Sequence, residues 1–341
     1  MLLWEKMSFQ EEKNKIIEMI MKWAKGNKRF LNIISIPYNS TEIFVEIIEK
    51  YICENKKVLY ITDEYRPPIS IIESIKKHTD LKNYSYIKDT EEYGSSNLKI
   101  CDFTTAAGLN ENLDLIIYDD VSSFSHHDKR EILDVLSKFS NDNNKVIAYS
   151  IEEVFKNSES ILFPVKNSRV PMIEPRTILT RIDINKDIPF VVYDYLKWSI
   201  NTGRKVVIFV PDEDKVKKVS HYIKQYCSNF LKNTICLSGN RFSKKLILKF
   251  INIEDAVLVT NCLKEVAPYI KNFDIMVYFA DNSNFTYKDF IYLCGSVVRN
   301  KKDLKGEVIF LANCETTNME KAKYITRNFN KEAWNMGLLR V

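Results

Sequence analysis

Asp114-Leu115-Ile116-Ile117-Tyr118-Asp119-Asp120-Val121 is a short apolar run that ends on two adjacent carboxylates. An uninterrupted apolar run of this length, bounded by polar residues, fits a strand buried on both faces, and such strands belong to parallel sheets covered by helices. Similar runs lie on either side, at 31–36 (LNIISI), 57–62 (KVLYIT), 98–103 and 145–149 (KVIAY), with helical spacing between them at 41–54, 68–78 and 127–140. Ile16, Ile17, Ile20, Met21 and Ala24 give an amphipathic helix over 8–25. Pro164, Pro171 and Pro175 mark a linker, after which the pattern repeats. Strands are expected at 177–183, 205–210, 234–237, 256–260, 274–280 and 307–311, with helices at 187–201, 213–227, 242–251, 286–293 and 317–334. The expected organisation is α/β, with an N-terminal helix over 1–28, an open parallel-sheet domain over 29–160, a linker over 161–176 and a second such domain over 177–341. In open sheets ligands bind outside the carboxyl ends of the strands, which is where Asp119 and Asp120 are delivered.

Composition narrows the function. The chain has 341 residues, 45% hydrophobic and 28% charged, which suits two soluble domains and excludes disorder and collagen. No segment approaches the roughly 18 apolar residues of a spanning helix, and MLLWEKMSFQEEKNK turns charged too early for a signal peptide, so a cytoplasmic protein without membrane insertion is expected. Seven cysteines include no CxxC pair or Cys/His cluster, so reduced thiols and no zinc are expected. Glycine is scarce: eight in all, against a usual level of about 7%, and none in a GxG or GxxxxGK[ST] pattern. Phosphate loops need glycines to bring backbone N–H groups close to phosphate, so dinucleotide enzymes and intact P-loop ATPases are disfavoured. Charge is uneven. Residues 1–160 carry 21 Lys+Arg against 27 Asp+Glu, whereas 161–341 carry 29 against 18. A basic second half fits a polyanionic partner, and equally a lysine-rich solvated surface.

The Asp119-Asp120 pair has two readings. In an NTPase the first carboxylate at such a strand end holds Mg²⁺ and the second helps position the attacking water. Alternatively Asp120 caps the next turn. The order of the surrounding features bears on the choice: Thr41-Glu42 opens a helix directly after the first strand, Ala148-Tyr149-Ser150 ends the strand following the Asp pair, and KVVIFVP (205–211), AVLVTNCLKE (256–265) and YLCGSVVRN (292–300) follow at intervals. In this series the chain resembles the superfamily 2 helicases, and among them the late-competence ComF-operon protein A (ComFA) family, DNA-uptake ATPases of naturally transformable Gram-positive bacteria. The similarity runs from about residue 29 through the tail, and is most specific over residues 257–300.

That resemblance implies two RecA-like domains and a set of nucleotide-handling residues. Where the family reads GAGKTE, the chain has Pro37-Tyr38-Asn39-Ser40-Thr41-Glu42. Ser40, Thr41 and Glu42 thus fall at the nucleotide loop, with Thr41 and Asp119 on the Mg²⁺ side. Ser40 replaces the lysine that acts as a point charge on the β/γ-phosphates, and both glycines are gone. The DEVDAF-like segment is Asp119 to Phe124, where Asp120 stands one methylene short of glutamate. In the last motif Gly295 and Arg299 remain, Arg299 at the arginine-finger position, while Val266, Ala267, Tyr269, Tyr292 and Ser296 depart from the pattern. Glycines of the family pattern at 37, 39, 267 and 298 are Pro, Asn, Ala and Val here. Weak ATP and Mg²⁺ binding at most is expected, with Asp119, Asp120 and Arg299 catalytic only if hydrolysis survives.

Lysines cluster at Lys215, Lys217 and Lys218, at Lys244, Lys245 and Lys249, and at Lys301, Lys302 and Lys305, near Phe242, Phe285 and Tyr287. Cations and stacking rings suit single-stranded DNA without sequence readout, and the same residues can be solvated lysines and core aromatics. Three functions are consistent with these residues. The first is a helicase-fold protein that has lost hydrolysis and binds DNA or proteins of a DNA-uptake machine. The second is a divergent DNA-dependent ATPase. The third is a binder of another ligand between walls supplied by Tyr38 and Tyr149.

Overall fold

The run at 115–119 is the middle strand of a seven-stranded, wholly parallel sheet. The computed structural model describes residues 8–64, 69–87, 96–125, 127–139, 144–239, 242–270, 273–297 and 306–340. They divide into two units, Met1–Pro171 with Phe329–Val341, and Met172–Asn328.

In the first unit the strands are β1 (Phe30–Ser35), β2 (Val58–Thr62), β3 (Tyr84–Tyr86), β4 (Leu98–Cys101), β5 (Leu115–Asp119), β6 (Lys145–Ser150) and β7 (Glu159–Phe163), in the spatial order β3-β4-β2-β5-β6-β1-β7. Period-two alternation sends Ile117 and Tyr60 to one face and Ile116, Tyr118 and Leu59 to the other, so both faces need cover. Helices α1 (Phe9–Lys25), α2 (Val45–Cys53) and α3 (Ser70–His78) cover the first face through Ile16, Ile20, Ile47, Ile48 and Ile75. Helices α4 (Phe103–Gly108) and α5 (Lys129–Lys138) cover the second through Phe103, Ile132 and Leu136. Helix α1 starts where Ser8 and Glu11 form a reciprocal capping box.

The second unit has a six-stranded parallel sheet, β8 (Arg176–Leu179), β9 (Val206–Phe209), β10 (Asn233–Leu237), β11 (Ala256–Thr260), β12 (Asp274–Tyr278) and β13 (Val308–Ala312), ordered β10-β11-β9-β12-β13-β8. Helices α6 (Phe190–Asn201) and α7 (Glu213–Tyr226) share one core with Val206, Ile208, Val257 and Val259. The alternate strand positions face α8 (Lys244–Asn252) and α10 (Tyr287–Ser296): Lys205 donates to the Phe250 carbonyl and Phe290 lies 4.4 Å from Phe310 between ring centroids. A single turn of helix, α9 (Leu263–Val266), follows β11, and α11 (Thr317–Asn335) closes the chain.

Two α/β units with parallel sheets match the expected fold class, and most elements fall within a few residues of the sequence reading. Strands β3 and β7, together with α4 and α9, are additions. β7 takes residues Glu159–Phe163 into the first sheet beside β1, so residues 161–163 of the expected linker are strand. The tail from Phe329 belongs with the first unit, where Arg169 donates to the Leu338 and Gly337 carbonyls at 2.7 and 3.3 Å.

β1 carries two buried polar side chains, Asn32 and Ser35, and Asn32 lies between β6 and β7. Its amide donates to the Phe155 carbonyl (2.9 Å) and to Ser158 Oγ (2.7 Å), and its carbonyl accepts from the Val154 and Phe155 N–H groups (3.0 and 2.9 Å). The turn after β6 is thereby fixed against β1. Asn32→Ala would leave several buried groups unpaired, so it is expected to destabilise the chain by about 3 kcal/mol, read as a lowered urea midpoint at unchanged slope. An unchanged midpoint would contradict this assignment.

Candidate functional site

All strands of the first sheet run parallel, so their carboxyl ends lie along one edge. That edge gathers the turn after β1 (Pro37–Glu42), Asp63 and Glu64 after β2, Asp119 and Asp120 at β5, and Tyr149 and Ser150 at β6.

The turn after β1 is closed on itself. Pro37 is buried, and Tyr38 takes φ +58°, a left-handed conformation that glycine adopts freely and that costs a tyrosine about 1 kcal/mol. Its N–H donates to the Val121 carbonyl at 2.8 Å, and its ring lies edge-on to Phe124 and under the Lys166 ammonium. Asn39 donates through its amide to Ser35 Oγ (3.0 Å) and to the Phe163 and Val165 carbonyls (3.3 and 3.0 Å), while its Oδ1 accepts the Ser40 N–H at 2.9 Å. Ser40 Oγ accepts the Glu42 N–H at 3.3 Å. Tyr149 is fully buried and donates to the Ser40 carbonyl at 3.2 Å and to Ser35 Oγ at 3.4 Å. It braces the turn from beneath, so the expectation that Tyr149 forms a ligand wall is corrected: its ring packs 5.1 Å from Phe44. Thr41, 2% exposed, hydrogen-bonds Ser74 of α3 at 3.0 Å through its hydroxyl. Its place on the Mg²⁺ side is therefore taken by a helix contact.

Glu42 is the hub of an ion cluster, bonded to Lys13, to Lys77 (3.1 Å) and to His78 (3.2 Å). Burial works to raise its carboxyl, but the bonds from Lys13, His78 and Lys77 prevail and hold it at about 2. A cavity of about 340 Å³ opens between residues 38–42 and the α3 side chains Ser70, Glu73, Ser74 and Lys77. Its charged lining is Glu42, Glu73 and Lys77, with Lys77 already bonded to Glu42.

Asp119 is 2% exposed and saturated with donors. Oδ1 accepts the N–H groups of Val121 (2.9 Å) and Ser122 (3.0 Å), and Oδ2 accepts the hydroxyls of Tyr60 and Ser122, both at 2.6 Å. Burial nevertheless raises its carboxyl above the usual range, against the pull of those bonds. Asp120, also buried, accepts from Tyr118 at 3.2 Å. Neighbouring Glu64 accepts the Ser70 N–H and hydroxyl (2.8 and 2.5 Å), tethering the start of α3. Burial first, then the charge of Asp119, pushes Glu64 up to about 7. Beside it His127 lies 2.8 Å from Asp63 and stacks on Phe103. Tyr60, Glu64, Ser74 and His127 were not singled out from the sequence, because each joins the site through a contact between distant segments.

In the second unit the lysine clusters are placed apart. Lys215, Lys217 and Lys218 sit on α7, and Lys244, Lys245 and Lys249 on α8, on opposite faces of the sheet. Lys215 is partly buried against Phe279 and bonded to Asn185, whereas Lys217, Lys218, Lys244 and Lys245 are exposed. Phe285 is 2% exposed and packs on Phe290, so it cannot stack on a base, and the ring face of Tyr287 is covered by Lys321 at 3.4 Å. Gly295 lies in α10 and is buried. Arg299, Lys301, Lys302 and Lys305 lie outside the described residues. Among the described residues no group of three His, Cys, Asp or Glu is placed to hold a metal, and no helix is long and apolar enough to cross a membrane.

No protein-family model matches the chain, and no curated protein matches it in sequence. Solved structures do match. The E. coli DExH-box NTPase HrpB is 10% identical with a TM-score of 0.53, the match covering 92% of this chain and 42% of that one. RecG bound to a three-way DNA junction is 10% identical (TM-score 0.54, 95% and 46% covered), and the DUF1998 helicase MrfA bound to DNA is 13% identical (TM-score 0.51, 93% and 51% covered). The chain therefore shares the tandem RecA-like fold of these proteins and spans about half of their length.

Glu64 and Glu42 should tilt the pH dependence of stability in opposite directions. The folded chain holds the Glu64 proton to about pH 7, against an ordinary value of 4.5, so this contribution is full below pH 4.5 and is lost as pH rises to 7. The Glu42 contribution is present above 4.5 and is lost as pH falls toward 2. Urea unfolding at pH 5 and pH 8 should show Glu64→Gln gaining stability over the parent at pH 8 but not at pH 5. Equal differences at both pH values would contradict the Glu64 assignment.

Proposed function

We propose that this chain is a nucleic-acid-associated protein of superfamily 2 helicase fold that binds single-stranded DNA and does not hydrolyse ATP. One observation carries the reading: the groups that a Mg²⁺–nucleotide would need are paired within the first unit. A phosphate loop presents free backbone N–H groups to its ligand. Here those of Tyr38, Ser40 and Glu42 are donated to Val121, Asn39 and Ser40. A Mg²⁺ ion wants free carboxylate oxygens, and both oxygens of Asp119 already accept two donors each. Displacing these bonds would also require a lysine-like charge on the phosphates, and Ser40 supplies none.

DNA as the partner is supported by the basic second half, by the exposed Lys217, Lys218, Lys244 and Lys245, and by the fold shared with RecG and MrfA, whose structures hold DNA. The ComFA-like motif order supports a role in DNA uptake, with other proteins of that process as further partners. Lysines on both sheet faces favour a strand that wraps the unit, or several separate contacts, over a single patch.

Titration calorimetry of the full chain with ATP and Mg²⁺ is expected to give no saturable heat, and phosphate release should stay at background, unchanged by Asp119→Ala. Hydrolysis that disappears in Asp119→Ala would overturn the reading. Binding to oligo-dT should weaken steeply with salt, by about 0.7 log units of affinity per log unit of salt for each phosphate contacted, and Lys217→Gln/Lys218→Gln should flatten that slope if α7 makes contacts. Affinity independent of salt would remove DNA as the partner.

A further inference from the structure

Helix α11 is one uninterrupted helix whose inner positions Met319, Ala322, Thr326, Phe329 and Ala333 are buried at helical spacing. Its outer side presents Tyr324, Arg327, Lys331 and Trp334. Steps of three, four and three residues set these four side chains on one face. Both rings stand out, with Tyr324 66% and Trp334 61% exposed, far more than aromatic side chains usually are. At 1.5 Å per residue they are about 15 Å apart along the axis, with the two cations between them. Arg327 also contacts Glu174 at 3.3 Å, but that pair is exposed on both sides and exchanges readily for another anion.

We infer that the outer face of α11 is a stacking platform for single-stranded nucleic acid. The inference rests on the DNA-binding reading above and adds the place where bases are held. Three features select this occupant. Two exposed rings accept bases of any identity, intervening cations meet the phosphates of the same strand, and no aliphatic side chain lies between the rings to act as the apolar anchor of a helix docked in a protein groove. Unpaired bases are required, since rings cannot stack on bases within a duplex.

The test uses the full chain and short fluorescein-labelled oligo-dT and oligo-U strands, read by anisotropy at low salt, with circular dichroism showing that each variant stays folded. Tyr324→Ala and Trp334→Ala are each expected to weaken binding by about 5- to 100-fold. Tyr324→Phe and Trp334→Phe, which keep a ring, should bind within a few-fold of the parent. Arg327→Gln/Lys331→Gln should lower the salt slope by about 1.4 if each cation meets one phosphate. Equal effects on both strands assign the platform to either nucleic acid, and an effect on one alone assigns it to that one. If Tyr324→Ala/Trp334→Ala binds like the parent while lysine variants on α7 and α8 weaken, the platform is overturned and DNA binding stands. If the parent chain binds neither strand, both fall. Self-association of the parent that the same ring variants abolish, with nucleic-acid binding intact, would reassign the face to a second copy of the chain.

Discussion

A carboxylate taken out of water at the end of a central strand must find donors, and in this chain the donors of Asp119 set much of the surrounding architecture. Tyr60 reaches it from β2, which requires the register that pairs Thr62 with Asp119. The turn after β5 folds back so that Val121 and Ser122 can donate, and the Val121 carbonyl then accepts the Tyr38 N–H. The face that holds Tyr60 also holds Phe44, packed between Tyr60 and Tyr149, and Tyr149 donates to Ser40. Acid, aromatic layer and turn are one connected network. Loosening any member to admit a nucleotide exposes an unpaired group elsewhere, at about 1–3 kcal/mol each.

The strands were legible because burial on both faces leaves unbroken apolar runs such as 115–118 and 256–259, and the delivery of two acids to a strand end follows from that alone. β3 was not legible: Tyr84–Tyr86 is three half-buried residues with no pattern of its own. β7 escaped because it lies at a sheet edge and runs into a proline-bearing stretch. Partners at the site were the hardest to read. Asn39 looks like an ordinary turn residue until β7 supplies the Phe163 carbonyl, and Glu64 is an unremarkable acid until Asp119 and Ser70 meet it. The lysine clusters on α7 and α8 are separated by the sheet, which the sequence does not show, and Phe285, open to a stacking or a core reading, is taken by the core.

The shortage of glycine acquires a structural meaning at the turn after β1. A left-handed residue is still needed there, and Tyr38 occupies that conformation with its ring held by Phe124 and Lys166. Asn39 fills the turn and pairs its polar groups. What a glycine-rich loop leaves open for phosphate, these side chains close.

Hydrogen exchange at the amides of residues 38–42 tests the closed turn most directly. With millimolar ATP and Mg²⁺ the account predicts that exchange at Ser40 and Glu42 is unchanged, because their N–H groups stay on Asn39 and Ser40. Slower exchange at these amides on adding nucleotide, relieved by removing Mg²⁺, would mean that phosphate takes the place of those side chains and would contradict the account.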